Sequence, residues 1–158
     1  MPKELVEKIK KSRKFNQGFA TTEYLEAALL DMAWHMLPAD APLLNADAFE
    51  VEALRKYQAY IYEVPPRYHT TYFSHSWGGE YAARYYAYFW SEMIDDDAYA
   101  WFKEHGGMTR ENGQRYREMI LAHAGTQDAA AMYRAFRGRD AEVGPLLEER
   151  GLNVAGKQ

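Results

Sequence analysis

Apolar residues recur at three- and four-residue intervals along most of the chain, the period of a helix with one buried face. Leu5, Val6 and Ile9 predict a first helix over about Lys3–Arg13, in a basic segment, and residues 16–18 read as a break. Leu25, Ala28, Leu29, Met32 and Met36 predict the inward face of a second helix. Thr21 or Thr22 is its expected N-cap, Glu23 is favourable near its positive end, and Pro38 and Pro42 end it. A third helix is expected from Asp47 as cap, with Phe49, Ala53, Leu54 and Tyr57 inward. Residues 62–79 differ. Pro65 and Pro66 forbid regular helix, so this stretch is expected to be an extended loop with at most a short strand. Helix is expected again from Glu80 or Tyr81 through Trp90 towards Met93, with Asp95, Asp96 and Asp97 as an interruption before Tyr99, Trp101 and Phe102. Gly106 and Gly107 stop it. Thr109 caps the next helix, which carries Tyr116, Met119, Ile120 and His123 on one face. Thr126 or Asp128 starts another, ended by Gly138, and Asp140 caps a last short one closed by Gly151. The expected class is all-α: an irregular multi-helix bundle with one extended Pro/Gly-containing loop, spanning 1–158 as a single helical domain.

Length and composition agree with one folded domain: 158 residues, 47% hydrophobic and 27% charged. The chain has no cysteine, which excludes disulfides, cysteine-bound zinc, iron–sulfur clusters and a thiol nucleophile. A net charge of −4 gives no reason to expect nucleic acid as a partner. No apolar run is long enough to cross a bilayer, so no membrane partner is expected, and the basic first fourteen residues lack the apolar core of a secretory signal. Tyrosine is the outlier, with 13 residues, and aromatics reach 15%. Phenols suit surfaces that are half apolar and half wet, which points to a cleft or a partner-facing surface.

The chemistry-bearing stretch is His75-Ser76-Trp77-Gly78-Gly79-Glu80-Tyr81, continuing through Tyr85, Tyr86 and Tyr88. On a helix, Tyr81, Tyr85 and Tyr88 share a face at i, i+4, i+7, and the Gly78-Gly79 turn lets His75 swing towards them. An imidazole and three phenols would form a set of neutral hydrogen-bond donors for a developing oxyanion. The same spacing also fits tyrosines that are simply core with solvated tips. Other motifs fail. No His pair has H-E-x-x-H spacing, the aspartate run lacks EF-hand ligands, no Lys-Ser/Thr follows the double glycine, and Ser74 and Ser76 lie in no nucleophile elbow. The aspartate run and Arg134, Arg137 and Arg139 read as solvated helix ends.

Several long runs nevertheless resemble one family. Phe15-Asn16-Gln17-Gly18-Phe19-Ala20-Thr21-Thr22-Glu23-Tyr24-Leu25, Leu30-Asp31-Met32-Ala33-Trp34-His35, Val64-Pro65-Pro66-Arg67-Tyr68, the segment from His75 to Trp90, Gly107-Met108-Thr109-Arg110-Glu111-Asn112-Gly113-Gln114-Arg115-Tyr116-Arg117 and the run from Phe136 to Leu152 occur in order. They resemble the late part of dipeptidyl carboxypeptidases, in the zinc metallopeptidase family of thimet oligopeptidase and oligopeptidase A, over about residues 15–153. The resemblance implies hydrolysis of oligopeptides, with release of C-terminal dipeptides, by a zinc-activated water. It implies His75 and Tyr88 as catalytic oxyanion donors, and Tyr81, Tyr85, Gly78 and Gly79 as substrate-binding. Zinc is then the cofactor of the complete enzyme only. The H-E-x-x-H helix and third ligand lie upstream in the family, so this chain is expected to hold no metal and to be inactive alone. Glu80 stands where the family loop often carries a third glycine. The implied partners are a peptide and the metal-bearing portion, with self-association through the tyrosine face; the implied compartment is the cytoplasm, or the periplasm if a signal precedes the chain. The alternative from another class is a non-catalytic helical module that binds peptides or proteins.

Overall fold

The computed structural model describes residues 1–152. Among them are eight α-helices and two single 3-10 turns, with one isolated bridge between Ile61 and Val64 in place of any strand. The helices are α1 Lys3–Arg13, α2 Gln17–His35, α3 Ala46–Lys56, α4 Ser74–Gly78, α5 Ala87–Glu104, α6 Arg110–Met119, α7 Ala129–Arg137 and α8 Gly144–Glu149. The all-α expectation therefore holds. The chain divides into two compact units, Met1–Tyr88 and the part from Phe89 onward.

In the first unit α2 is the axis of packing. Leu30 and Ala33 of α2 meet Ala53 of α3, flanked by Trp34, Phe49 and Tyr57. Ala27 and Ala28 meet Phe73 and Tyr85, with Tyr24 and Tyr68 alongside. The small residues of α2 let the 60s–80s segment lie close to its backbone. The buried face differs from the one expected. Glu26 and Asp31 are inside, while Leu25 and Met36 are exposed, because α2 serves aromatic loops on one side and α3 on another instead of a single apolar stripe. The helix also starts earlier than expected. Asn16, with φ +55°, is its N-cap, and Thr21 and Thr22 lie inside the helix. Asn45, not Asp47, caps α3 by accepting from the Ala48 amide at 2.9 Å.

In the second unit Trp101 and Phe102 of α5 pack with Ala98 and Phe136, and Tyr116, Met119, Ile120 and Tyr133 close around them. Thr109, Asp128 and Gly138 occupy the expected caps. Gly138, at φ +85°, takes the left-handed position that ends α7. Two expectations fail together. The aspartate run does not interrupt α5, and Arg137 and Arg139 are not a solvated end. Asp97 is fully buried and accepts from Tyr133 Oη at 2.6 Å and Arg139 Nη2 at 2.7 Å, while the Arg137 side chain, nearly buried, reaches Asp97 and Glu104. Asp140 pairs with Arg134 instead of capping α8, whose N-cap is Val143.

Burial alone would raise the Asp97 carboxyl. The hydrogen bonds from Arg139 and Tyr133 and the charges of Arg137 and Arg139 outweigh that and hold it below the ordinary range. The folded state therefore binds this proton less readily than the unfolded chain, so the stabilisation is complete above about pH 4 and is lost as pH falls through the lowered value. Asp97→Ala leaves the Arg137 guanidinium buried with half its partners and is expected to cost about 3–5 kcal/mol. Urea unfolding at pH 7 reads the loss, and the difference from wild type should shrink when the titration is repeated near pH 2.

Candidate functional site

The residues from Glu80 to Tyr86 are not helical. They form turns, and α5 begins only at Ala87. The expected helix, and with it the i, i+4, i+7 argument for Tyr81, Tyr85 and Tyr88, is therefore corrected. The reason is electrostatic and local. Asp31, fully buried on α2, takes up the hydrogen-bond donors that a helix here would have directed along its own axis. Its Oδ1 accepts from Ser76 Oγ at 2.8 Å and from the Ala83 amide at 3.1 Å, and its Oδ2 accepts from the Tyr85 amide at 3.0 Å. Ala83 has φ +56°, a strained value for a residue with a Cβ, and the bond to Asp31 holds it there. His35 Nδ1 lies 3.1 Å from the same carboxylate.

His75 also differs in setting. It sits inside the short helix α4, so the double glycine follows it as the exit of that helix. Even so, the turn brings the expected side chains together. The His75 ring centroid lies 5.8 Å from that of Tyr81, 5.5 Å from Tyr85 and 6.3 Å from Tyr88. Tyr81 and Tyr88 stack at 5.1 Å with an interplanar angle of 17°. Both are open to solvent, 38% and 43% exposed, whereas Tyr85 is only 3% exposed. Tyr85 is held by a stack with Tyr24 at 5.1 Å and edge contacts with Phe73 and Tyr68. Tyr24 Oη donates to the Tyr85 carbonyl at 3.3 Å. His75 Nδ1 is buried and has no hydrogen-bond partner.

The phenols are neutral donors. Tyr88 is raised from its ordinary value, chiefly by its hydrogen bond with Tyr81, and Tyr85 is raised chiefly by burial. The glycines are not required by close packing. A Cβ at Gly78 would meet nothing within 4 Å, and one at Gly79 would meet only the His75 carbonyl at 3.8 Å. Neither takes a positive φ, and Gly79 is extended, so this conformation does not itself require glycine at either position. Among the described residues, no group of three His, Asp or Glu side chains is placed to hold a metal ion, and no helix is long and apolar enough to cross a membrane.

Three participants were not visible in the sequence as site residues: Asp31, Ser76 and Tyr24. Asp31 carried a signal, an acidic residue set between Leu30 and Met32 in an otherwise apolar stretch of helix. A carboxylate so placed must be satisfied by something folded over it.

The description "Peptidase family M3" matches residues 1–152. The chain belongs to this family. It is 46% identical over 154 residues to the dipeptidyl carboxypeptidase of Escherichia coli, covering 98% of this chain and 23% of that protein. To the Salmonella typhimurium dipeptidyl carboxypeptidase it is 48% identical, covering 97% of this chain and 22% of the relative. To oligopeptidase A of the same organism it is 31% identical, covering 96% and 22%. The chain thus spans about a quarter of the length of the curated relatives it matches.

Asp31→Ala removes one acceptor from three donors at once. Hydrogen bonds to a charged group contribute about 1.5–3 kcal/mol each, so a loss of at least about 3 kcal/mol is expected. The specific signature is local. Amide hydrogen exchange at Ala83 and Tyr85 should accelerate well beyond that of the α3 amides in the same variant. Equal acceleration everywhere would mean that Asp31 supports only the fold.

Proposed function

We propose that the first unit supplies one wall of the peptide cleft of an M3 zinc peptidase that hydrolyses oligopeptides and releases C-terminal dipeptides. The observation that carries this reading is the convergence of His75, Tyr81 and Tyr88 beside a double-glycine hinge. In the complete enzyme, a bound zinc would supply activation of the attacking water. Its ligands would come from a portion outside this chain; the described residues offer no group of three His, Asp or Glu side chains for it. His75 and Tyr88 are the catalytic donors. Each carries a polar hydrogen, and both are placed to hydrogen-bond an oxygen that gains charge as the peptide carbonyl becomes tetrahedral. The unpartnered Nδ1 of His75 is consistent with a nitrogen whose partner arrives with substrate. Tyr81 binds substrate from the open side of the Tyr88 stack. Tyr85 is buried, so its contact with peptide requires the segment after Gly78 and Gly79 to move; closure about that hinge is the gating step. The exposed aromatic face is covered by the metal-bearing portion in the longer protein and favours self-association of the chain alone. The compartment that fits is the cytoplasm.

The competing reading, a non-catalytic peptide-binding module, is favoured by the same exposed stack of Tyr81 and Tyr88, which would hold an extended peptide without chemistry. A chimera separates the two: this chain replaces its counterpart in the Escherichia coli dipeptidyl carboxypeptidase. Tyr88→Phe in that chimera should lower kcat roughly 10²-fold with little change in KM, as expected for a donor engaged only in the transition state. An effect confined to KM supports the binding module instead. The chain by itself is expected to carry no stoichiometric zinc by elemental analysis and to leave peptide substrates intact. One tightly held zinc per chain, with chelator-sensitive cleavage, would contradict the proposal.

A further inference from the structure

A cavity in the first unit is lined by none of His75, Tyr81, Tyr85 and Tyr88. It encloses about 180 Å³ and is walled by Val51, Leu54, Ile61, Val64, Pro65 and Pro66. It runs between the buried Leu54 and the exposed Ile61 and Tyr62, so it opens to solvent on one side. Among these apolar walls stands Glu26, 1% exposed. Neither of its carboxyl oxygens has a well-formed hydrogen bond. Glu50, the other carboxylate lining the cavity, is fully engaged. Its Oε1 meets His69 Nδ1 at 2.6 Å, and its Oε2 accepts from the amide and hydroxyl of Thr70 at 3.0 and 3.1 Å. The titratable groups around the cavity are thus Glu26, Glu50, His69, Tyr60 and Tyr62, with no lysine or arginine among its walls.

A carboxyl group in such a setting needs either a proton or a donor brought from outside. The cavity has room for a short hydrocarbon stem, roughly the space of six waters in the liquid. We propose that this cavity is a binding site for a primary ammonium group carried on a short apolar stem. The ammonium donates to Glu26, and the stem lies against Val51, Leu54, Val64 and the two prolines. Such a group occurs at the end of an alkylamine or lysine side chain, and at the free amino terminus of a peptide beginning with an aliphatic residue. This site stands independently of the function proposed for His75 and the tyrosines.

The proton and the ammonium compete for Glu26. Burial, with the Glu50 charge adding to it, raises the Glu26 carboxyl to about 7; the nearby Ile61 backbone tempers the rise only in part. A cation binds the ionised form, so affinity for an amine that stays protonated, such as n-butylammonium, should rise by about tenfold from pH 6 to pH 8 as that form fills; the α-amino group of leucinamide loses part of its charge over this range, so its affinity should rise only about fourfold. The experiment titrates the ¹⁵N-labelled 158-residue chain with three probes: n-butylammonium, L-leucinamide and neutral 1-butanol. The expected result is saturable shifts at the Leu54, Ile61 and Val64 amides with a cationic probe, tightening from pH 6 to pH 8. Response to n-butylammonium alone assigns the side-chain type of ligand, and response to leucinamide alone assigns the amino terminus. Glu26→Gln should weaken binding at pH 8 by tenfold or more and abolish the pH trend. Val51→Phe, which fills the cavity and leaves Glu26 in place, should abolish binding. Equal binding of butanol, binding that survives either variant, or no saturable shift with either cation would overturn the proposal.

Discussion

The geometry of the tyrosine site depends on one buried carboxylate. Asp31 is on a helix, and apart from His35 one turn along that helix its partners, three donors, come from the segment after Phe73. Two of them are backbone amides that would otherwise have helical partners. By accepting both, Asp31 makes the turn at Ala83 a better solution than a continued helix, and it fixes where Tyr85 leaves the backbone. The aromatic stack of Tyr24 on Tyr85 then follows, since both residues sit within reach of the same stretch of α2. A buried charge of this kind is weak evidence for net stability. It is strong evidence that one loop conformation is selected over others, because only that conformation satisfies the group.

Asp97 does the same for the second unit by a different route. Its partners are side chains from after α5, Tyr133, Arg137 and Arg139, so it joins helices where Asp31 joins a helix to a loop. That difference has a functional sense. The guanidinium forks hold several donors in rigid planes and leave little freedom. The first unit instead anchors its loop at Ser76 and again at Ala83, with Gly78 and Gly79 between the anchors. The double glycine is therefore bounded on both sides by hydrogen bonds to Asp31.

The helical class and most helix ends were legible because local signals set them: Thr109 and Asp128 as caps, Gly138 as a left-handed stop, prolines after His35. The identities of His75, Tyr81 and Tyr88 as neighbours were legible too, though by the wrong route. A helix was expected to align them, and a loop tied to a distant residue does so. Periodicity sees only neighbours within about two turns, and Asp31 is 52 residues from Ala83. The same blindness misplaced Arg137, whose burial depends on an aspartate 40 residues earlier. Polar residues in apolar runs are where sequence patterns give way, because their partners are fixed by tertiary structure.

Three buried acids of this chain, Asp31, Asp97 and Glu26, can be ranked by what satisfies them. Asp31 has backbone and hydroxyl donors, and Asp97 has two guanidinium groups and a phenol. Glu26 has no well-formed hydrogen bond, though it is as deeply buried as the others. If burial were only the by-product of an apolar helix face, an alanine would serve at that position, as it does at Ala27 and Ala28 beside it. A carboxyl group kept there lowers stability as pH rises from about 4.5, where the unfolded chain ionises, to about 7, above which the cost is constant. The surroundings relieve it only in part, through the Ile61 backbone: Glu50 adds a like charge, and the apolar walls add desolvation. The first unit thus carries two polar features whose partners are not supplied by the fold, the His75 imidazole nitrogen and the Glu26 carboxyl. One is buried beside the rings of Tyr68, Phe73 and Tyr85 and the other belongs to the lining of an apolar cavity, and neither has a well-formed hydrogen bond.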